Sequence, residues 1–223
     1  MNTNKKVIRL CAFVMGVSGL VILFSTLFPI FSYEWSADQK YPKLISPLVD
    51  EEKASFTFDN RDFTKLSSWF EDQKKLPASD DNISFFTISI PKLRIEDAVV
   101  KIGGEELSGS LIQYPGTALP GRVGNAVIFG HSILPQYYNP KNYLSIFSLL
   151  GDLEAGDKIY ASMDNKIFVY EVFNSFEVKP TDLGILDQNK KGSFISLITC
   201  TPPGHPLKPK RLIVRAKLVD IKS

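Results

Sequence analysis

Cysteine and histidine are scarce in this chain, two of each among 223 residues. Cys11 and Cys200 lie in stretches of opposite character, so no disulfide framework organises the fold. No CxxC or HxxxH spacing occurs. One thiol with His131 and His205 would make three metal ligands at most, without the spacing of a structural zinc site, and we assign no metal. A basic surface is missing too. Lys5, Lys6 and Arg9 precede the first carboxylate, Glu34, and without them the chain carries 23 basic and 24 acidic residues. That balance argues against nucleic acid as a partner. Internal repeats and low-complexity tracts are absent from the sequence as well.

What the chain does have is a long stretch free of charge. Residues 10–33, LCAFVMGVSGLVILFSTLFPIFSY, hold no charged residue. As a helix they reach about 36 Å at ~1.5 Å per residue, more than a hydrocarbon core of ~30 Å. The apolar part of a cleaved signal peptide is shorter, roughly 7–15 residues, and the following FPIFSYEW lacks a small-x-small cleavage site. Pro29 falls in the last turns, where a kink is tolerated. Tyr33 and Trp35 suit an aromatic interface belt, and the basic end suits the cytoplasmic side. These features predict a cytoplasmic N-terminus at 1–9, a transmembrane anchor at 10–33 in the lipid bilayer, and an extracytoplasmic remainder. A buried helix of a soluble protein is the alternative. In an exported body Cys200 is a lone thiol in a compartment that oxidises thiols, which marks it for attention, although a free cysteine also serves as plain packing.

Residues 34–82 read as a stalk, in which Pro42, Pro47 and Pro77 punctuate polar and charged runs. Inside it Phe63, Leu66, Trp69 and Phe70 recur at helical spacing behind Asp62, a capping residue. Such a short helix has three possible seats: over the catalytic face, on the membrane, or on the back of the domain. From residue 83 to 223 the texture changes to short strands. ISFFTISI offers Ile83, Phe85, Ile88 and Ile90 as core positions, and AVIFG leads into His131. YLSIFSLLGDLEAGD reads as a short helix and a turn. DKIYASM and KIFVYEVFNSFEV flank Asp164 and Asn165 as a hairpin, and FISLITC and RLIVRAKLVDI complete the set. Strands without regular helices between them predict an all-β fold, a closed antiparallel barrel or a sandwich.

Cys200 ends one strand, a proline-rich loop follows, and Arg211 opens the next. If the two strands pair antiparallel, thiol and guanidinium meet at one rim. Arginine stays charged and offers several donors, suited to an oxyanion formed when a thiolate attacks a carbonyl. His131 ends an apolar strand after Gly130, so its ring emerges at a rim; a lone histidine there is also compatible with a local structural role. His205, five residues past Cys200, is the other candidate base, or a solvated loop residue. Strand alternation sets Arg211, Ile213 and Arg215 on one face. Arg211 is equally compatible with a strand-end place on the surface, and Lys210, Arg215 or Lys217 could supply the cation at the rim in its stead.

These residues together carry a family resemblance. SLITC, residues 196–200, is similar to the TLxTC signature of sortases, with serine for the first threonine. IFGHS around His131 resembles their strand ending in Gly-His, and KRLIVRA resembles the strand that carries their catalytic arginine, here Arg211. YPGTALPGRVGNAVIFGH and FSLLGDLEAGDKIYA also look like the sortase core. The likeness covers about residues 83–220, and three motifs in order make it specific. It implies an eight-stranded sortase-like β-barrel with short helices, without a cofactor. It further implies that Cys200 attacks a C-terminal sorting motif of LPxTG type, forming an acyl-thioester. His131 would serve as acid and base, Arg211 would hold substrate and oxyanion, and Leu197 and Thr199 would flank the groove floor as substrate-binding residues. The client protein would pass to an amine acceptor such as a peptidoglycan precursor or another subunit.

The Asp-Pro-aromatic motif of many pilin-polymerising sortases does not occur, while NRDFTKLSSWF leaves room for an unrelated aromatic cover. Glu105 and Glu106 are a pair of acids from which no calcium site is read. A membrane-anchored cysteine peptidase with water as acceptor, and a silent barrel that only binds peptides, are the competing functions. The SHGC-like signature of L,D-transpeptidases is absent.

Overall fold

The computed structural model describes residues 3–41, 62–69, 85–188 and 191–222. Eight strands close into a barrel: β1 (Phe85–Ile90), β2 (Ile95–Ile102), β3 (Leu111–Gln113), β4 (Gly124–Phe129), β5 (Lys158–Met163), β6 (Lys166–Val178), β7 (Ser193–Thr201) and β8 (Lys210–Lys222). Their order around the barrel is β1-β2-β3-β4-β7-β8-β6-β5, with β5 returning to β1. A long helix, α1 (Thr3–Lys40), precedes them.

The expected eight-stranded barrel is present, but it is not wholly antiparallel. The β2–β3 and β4–β7 pairs are parallel. The second of these matters most, because parallel strands deliver their C-terminal ends to the same rim. His131 follows β4 and Cys200 nearly ends β7, so parallel pairing brings both to one edge. The antiparallel partner β8 brings its N-terminal end, Arg211, to that edge as well. The β5–β6 hairpin forms as read, turning on Asp164 and Asn165 at φ 51° and 59°. This left-handed pair is the geometry that two-residue hairpin turns demand, and Asp and Asn tolerate it.

Alternation along each strand sorts side chains into two apolar clusters. One fills the barrel: Ala126 and Ile128 of β4, Ile195 and Leu197 of β7, and Leu212, Val214 and Ala216 of β8 join residues from the other five strands. The second lies on the outer face of the β4–β7–β8–β6 sheet, where Val127, Phe129, Ile198, Cys200, Ile213 and Phe176 meet Phe63, Leu66, Trp69, Leu107 and Ile185. In β1 Ile88 and Ile90 are buried as expected, but Phe86 and not Phe85 shares their face, and Phe85 is 59% exposed. Ile83 lies outside the described residues. The 140s form turns and a 3-10 turn (Leu150–Asp152) rather than a regular helix.

Helix α1 is about 57 Å long at ~1.5 Å per residue and runs past Tyr33 to Lys40. Its segment Lys5–Ala37 is long and apolar enough to cross a membrane. The last turns rest on the barrel. Ala37 and Tyr41 are buried, Tyr33 Oη donates to Glu177 Oε1 at 3.0 Å, and Tyr41 Oη donates to the Gly151 carbonyl at 3.2 Å. The stretch after residue 33, read as the start of a stalk, therefore continues the helix as far as Lys40. Most of the remaining stalk, including Phe70, lies outside the described residues.

Candidate active site

On the outer face of the sheet, β7 and β8 place Cys200 directly across from Arg211. Phe129 of β4 is paired with Ile198 of β7, so two residues further along each strand His131 and Cys200 come to the same rim. Two hydrogen bonds tie the strand ends together: Ser132 Oγ donates to the Cys200 carbonyl at 2.7 Å and Thr199 Oγ1 to the Gly130 carbonyl at 2.8 Å. Gly130 itself has no room for a side chain. A Cβ there would come within 2.5 Å of the Phe147 ring and 2.6 Å of Leu111, which explains the glycine before His131.

The segment 62–69 closes over this rim. A 3-10 turn (Leu66–Trp69) follows Asp62, whose carboxylate accepts from the Thr64 amide at 3.1 Å. The segment is stitched to the β2–β3 connection through Leu66 N to the Glu105 carbonyl (2.8 Å) and Leu107 N to the Thr64 carbonyl (2.9 Å). Leu66 and Trp69 are fully buried. The indole of Trp69 stands edge-on to Phe129 at 5.5 Å, lies 5.9 Å from the His131 ring, and receives the Arg211 guanidinium at 5.3 Å. Arg211 Nη2 donates to the Trp69 main-chain carbonyl at 2.9 Å, while Nη1 donates to the carbonyls of Lys208 (2.8 Å) and Lys210 (3.1 Å). Of the three seats open to this stalk segment, it takes the one over Cys200, His131 and Arg211.

Covering changes the acid–base chemistry. Burial pushes the Cys200 thiol up, against the opposing pull of Arg211 and Lys208. Burial, helped by the Lys208 ammonium, brings His131 down to about 4, with Glu106 and Asp62 acting the other way. Both groups are therefore neutral near pH 7, and no thiolate–imidazolium pair forms under the cover. His131 Nε2 is buried and has no hydrogen-bond partner among the described residues. An unpaired ring nitrogen of this kind costs about 1–3 kcal/mol, a sign of a group kept for chemistry rather than packing. Beside it a cavity of about 370 Å³ opens, lined by Asp62, Phe63, His131, Ser132, Leu144 and Lys208 among others.

The other residues singled out in the sequence fall elsewhere. Leu197 belongs to the barrel interior. Thr199, 1% exposed, spends its hydroxyl on Gly130. Both alternate with Cys200 and face away from it, so neither forms the groove floor; Ile198 and Ser196 occupy that face of β7. His205 accepts from the Leu207 amide at 3.1 Å within its own loop and does not line the cavity beside His131. Lys208, which sequence reasoning passed over, sits with its ammonium 4.5 Å from the Phe63 ring centroid at the cavity wall. Its place depends on the fold of the 202–209 loop, for which a single sequence offers no periodic signal. Among the described residues no group of three His, Cys, Asp or Glu is gathered for a metal ion.

A closed eight-stranded barrel thus brings a cysteine, a histidine and an arginine to one rim. A family model described as Sortase domain matches residues 88–219, and the chain belongs to the sortase family. It is 26% identical to Sortase A of Streptococcus agalactiae over 132 residues, 59% of this chain and 51% of that protein. Sortase A of Staphylococcus aureus is 30% identical over 103 residues, 39% of this chain and 47% of its own length. The chain thus spans about half the length of these curated relatives. Among solved structures, sortase A from Corynebacterium diphtheriae is similar at TM-score 0.53 and 31% identity, over 63% of this chain and 62% of that one. A Clostridium perfringens sortase D5 transpeptidase is similar at TM-score 0.52 and 28% identity, over 64% of this chain and 83% of its own.

Proposed function

We propose that the protein is a membrane-anchored cysteine transpeptidase that cleaves a C-terminal sorting motif of LPxTG type and transfers the client to an amine. The observation that carries this reading is the cross-strand pair of Cys200 and Arg211 beside an unpartnered His131 nitrogen. In the reaction the Cys200 sulfur, as thiolate, adds to the carbonyl carbon at the scissile bond. The carbon–nitrogen bond then breaks, the leaving amine takes a proton from the His131 imidazolium, and an acyl-thioester remains. An incoming amine gives its proton to His131, attacks the thioester and returns the sulfur as leaving group. Arg211 would steady the oxyanion in both additions.

The Trp69 carbonyl on Arg211 Nη2 occupies the kind of position that a substrate carbonyl would take. In this reading the described form is closed, and substrate entry requires residues 62–69 to swing away. Opening would rehydrate the rim, raise the proton affinity of His131 and lower that of Cys200. Helix α1 would hold the barrel at the outer membrane–water boundary, with the basic N-terminus in the cytoplasm.

The test uses the full chain in detergent with LPxTG-type peptides and intact-mass detection. An acyl adduct on the wild type, absent from Cys200→Ala and released as a ligated product by an added amine, is expected. An adduct released only as free acid, even with amine in excess, would replace transfer by hydrolysis. The absence of any adduct from a folded chain with an alkylatable Cys200 would overturn the motif assignment.

A further inference from the structure

The outer face of the sheet carries a second cation that the transfer chemistry does not use. Cross-strand pairing sets Ser196 opposite Arg215 on the face shared by Cys200 and Arg211. Four residues of strand separate the two pairs, about 13 Å at ~3.3 Å per residue. Arg215 is held by two contacts, one of them braced from behind. Its Nε donates to Ser196 Oγ at 3.2 Å, Ser196 Oγ donates to Asn125 Oδ1 at 2.8 Å, and the guanidinium carbon lies 5.4 Å from the Phe176 ring centroid. Its terminal nitrogens make no hydrogen bond or ion pair among the described residues. Beside it is a cavity of about 270 Å³, lined by Asn125, Phe173, Asp187, Phe194 and Arg215. Lys217 follows on the same face, opposite Phe194. Asp187 attracts Arg215 across the cavity without forming an ion pair with it.

An arginine fixed by its Nε and by the Phe176 ring, lining a cavity with its terminal donors unspent, suits a carboxylate in bidentate fashion. The polarity of the reaction decides which part of a client reaches it. His131 handles the amines that leave and enter, and the cavity beside His131 lies beyond the strand ends. The acyl portion therefore runs the other way, down the sheet toward Arg215, where Ile198 and Ile213 are buried among Leu107, Phe176 and Ile185, so that the Ile185 turn must shift along with the cover. An extended peptide advances at the same ~3.3 Å per residue as the strand beneath it. Thirteen ångströms from the acylated carbonyl corresponds to the fourth residue before it, the one just ahead of the leucine in an LPxTG motif.

We infer that Arg215, with Asn125 and Ser196 positioning it, forms a subsite for an acidic side chain, aspartate or glutamate, four residues before the acylated residue of the client. This rests on the transpeptidase reading for the direction of the peptide. It would make the chain selective for motifs preceded by an acid, a preference set outside the catalytic rim.

The test uses the full chain in detergent carrying Cys200→Ala, which prevents turnover, and Trp69→Ala, which loosens the cover. Three peptides differ only at the position ahead of the leucine: glutamate, glutamine or lysine. The glutamate peptide is expected to bind about tenfold more tightly than the glutamine peptide, as one charge-assisted contact supplies. Arg215→Gln should bring that ratio to about one, and Arg215→Glu should shift preference to the lysine peptide. Equal binding of the glutamate and glutamine peptides, a preference unchanged by Arg215→Gln, or no binding of any of the three would overturn the subsite. Acylation of the Cys200-containing chain by the same peptides separates the two proposals. Discrimination in binding without any acyl-enzyme would sink the transpeptidase reading alone, and acylation without discrimination would sink the subsite alone.

Discussion

The two faces of the β4–β7–β8 sheet are buried to nearly the same degree, yet by different partners. Leu197 and Val214 on the inner face and Ile198 and Ile213 on the outer face are all fully buried. The inner face is closed by the barrel itself, through strands that cannot leave without unfolding. At its catalytic end the outer face is closed by residues 62–69, joined to the barrel through a few main-chain bonds and the side chains of Phe63, Leu66 and Trp69. Equal burial thus hides unequal permanence. A buried cysteine on the inner face would be packing, whereas under the proposed function Cys200 on the outer face would be one local opening away from solvent.

The comparison breaks most sharply by chemistry. Cys200→Ala should abolish acyl-enzyme formation in the intact-mass assay with little loss of melting temperature. Leu197→Ala should do the reverse. It opens a cavity in the permanent core and costs roughly 2–5 kcal/mol in denaturant unfolding, while the folded fraction keeps its Cys200 chemistry. If Leu197→Ala left stability intact, the assignment of this residue to the permanent core would fail.

A pH titration sharpens the contrast through His131. Under the cover its folded-state pKa of about 4 lies below the ordinary value of 6.5. The covered state therefore keeps its full stability above pH 6.5, begins to lose it as pH falls below 6.5, and has lost all of this contribution below about 4. The total is roughly 3 kcal/mol, since each pH unit between the two values contributes about 1.36 kcal/mol. In a Trp35→Phe chain Trp69 is the remaining tryptophan, so its emission should move to the red across that window. A His131→Asn chain should show no such step. A smaller effect belongs to the helix contact. Tyr33→Phe removes the bond to Glu177 and should lower stability by about 1 kcal/mol, without altering peptide discrimination.

Much of this was legible in the sequence. The strands β4 to β8, the Asp164–Asn165 hairpin and the family rested on local pattern and three motifs in order, while the three-residue β3 carried no signal. What escaped was phase and long-range placement. Leu197 and Thr199 stand close to the nucleophile in sequence, but a period of two sends them to the opposite face, and SLITC read as a string of letters hides that alternation. Phe85 and Phe86 are adjacent apolar residues, so pattern alone could not say which faced inward. The parallel pairing of β4 with β7 depends on contacts between residues some 70 positions apart, beyond any local signal. The spacing of Phe63, Leu66 and Trp69 announced an apolar face without naming its partner. Arg215 was one basic residue among several until its pairing with Ser196 set it over a cavity.

The central claim is that an active thiol lies beneath a removable cover, and alkylation of Cys200 tests it most directly. In a Cys11→Ser background, the rate of modification by a small neutral electrophile is compared between the native cover and Trp69→Ala. The account predicts slow labelling of the native chain and a gain of roughly 100-fold for Trp69→Ala, consistent with losing about 3 kcal/mol of closing energy. Labelling that stays slow in both, with the barrel still folded, would mean that Cys200 is locked in place like the residues of the inner face, and the account would be contradicted.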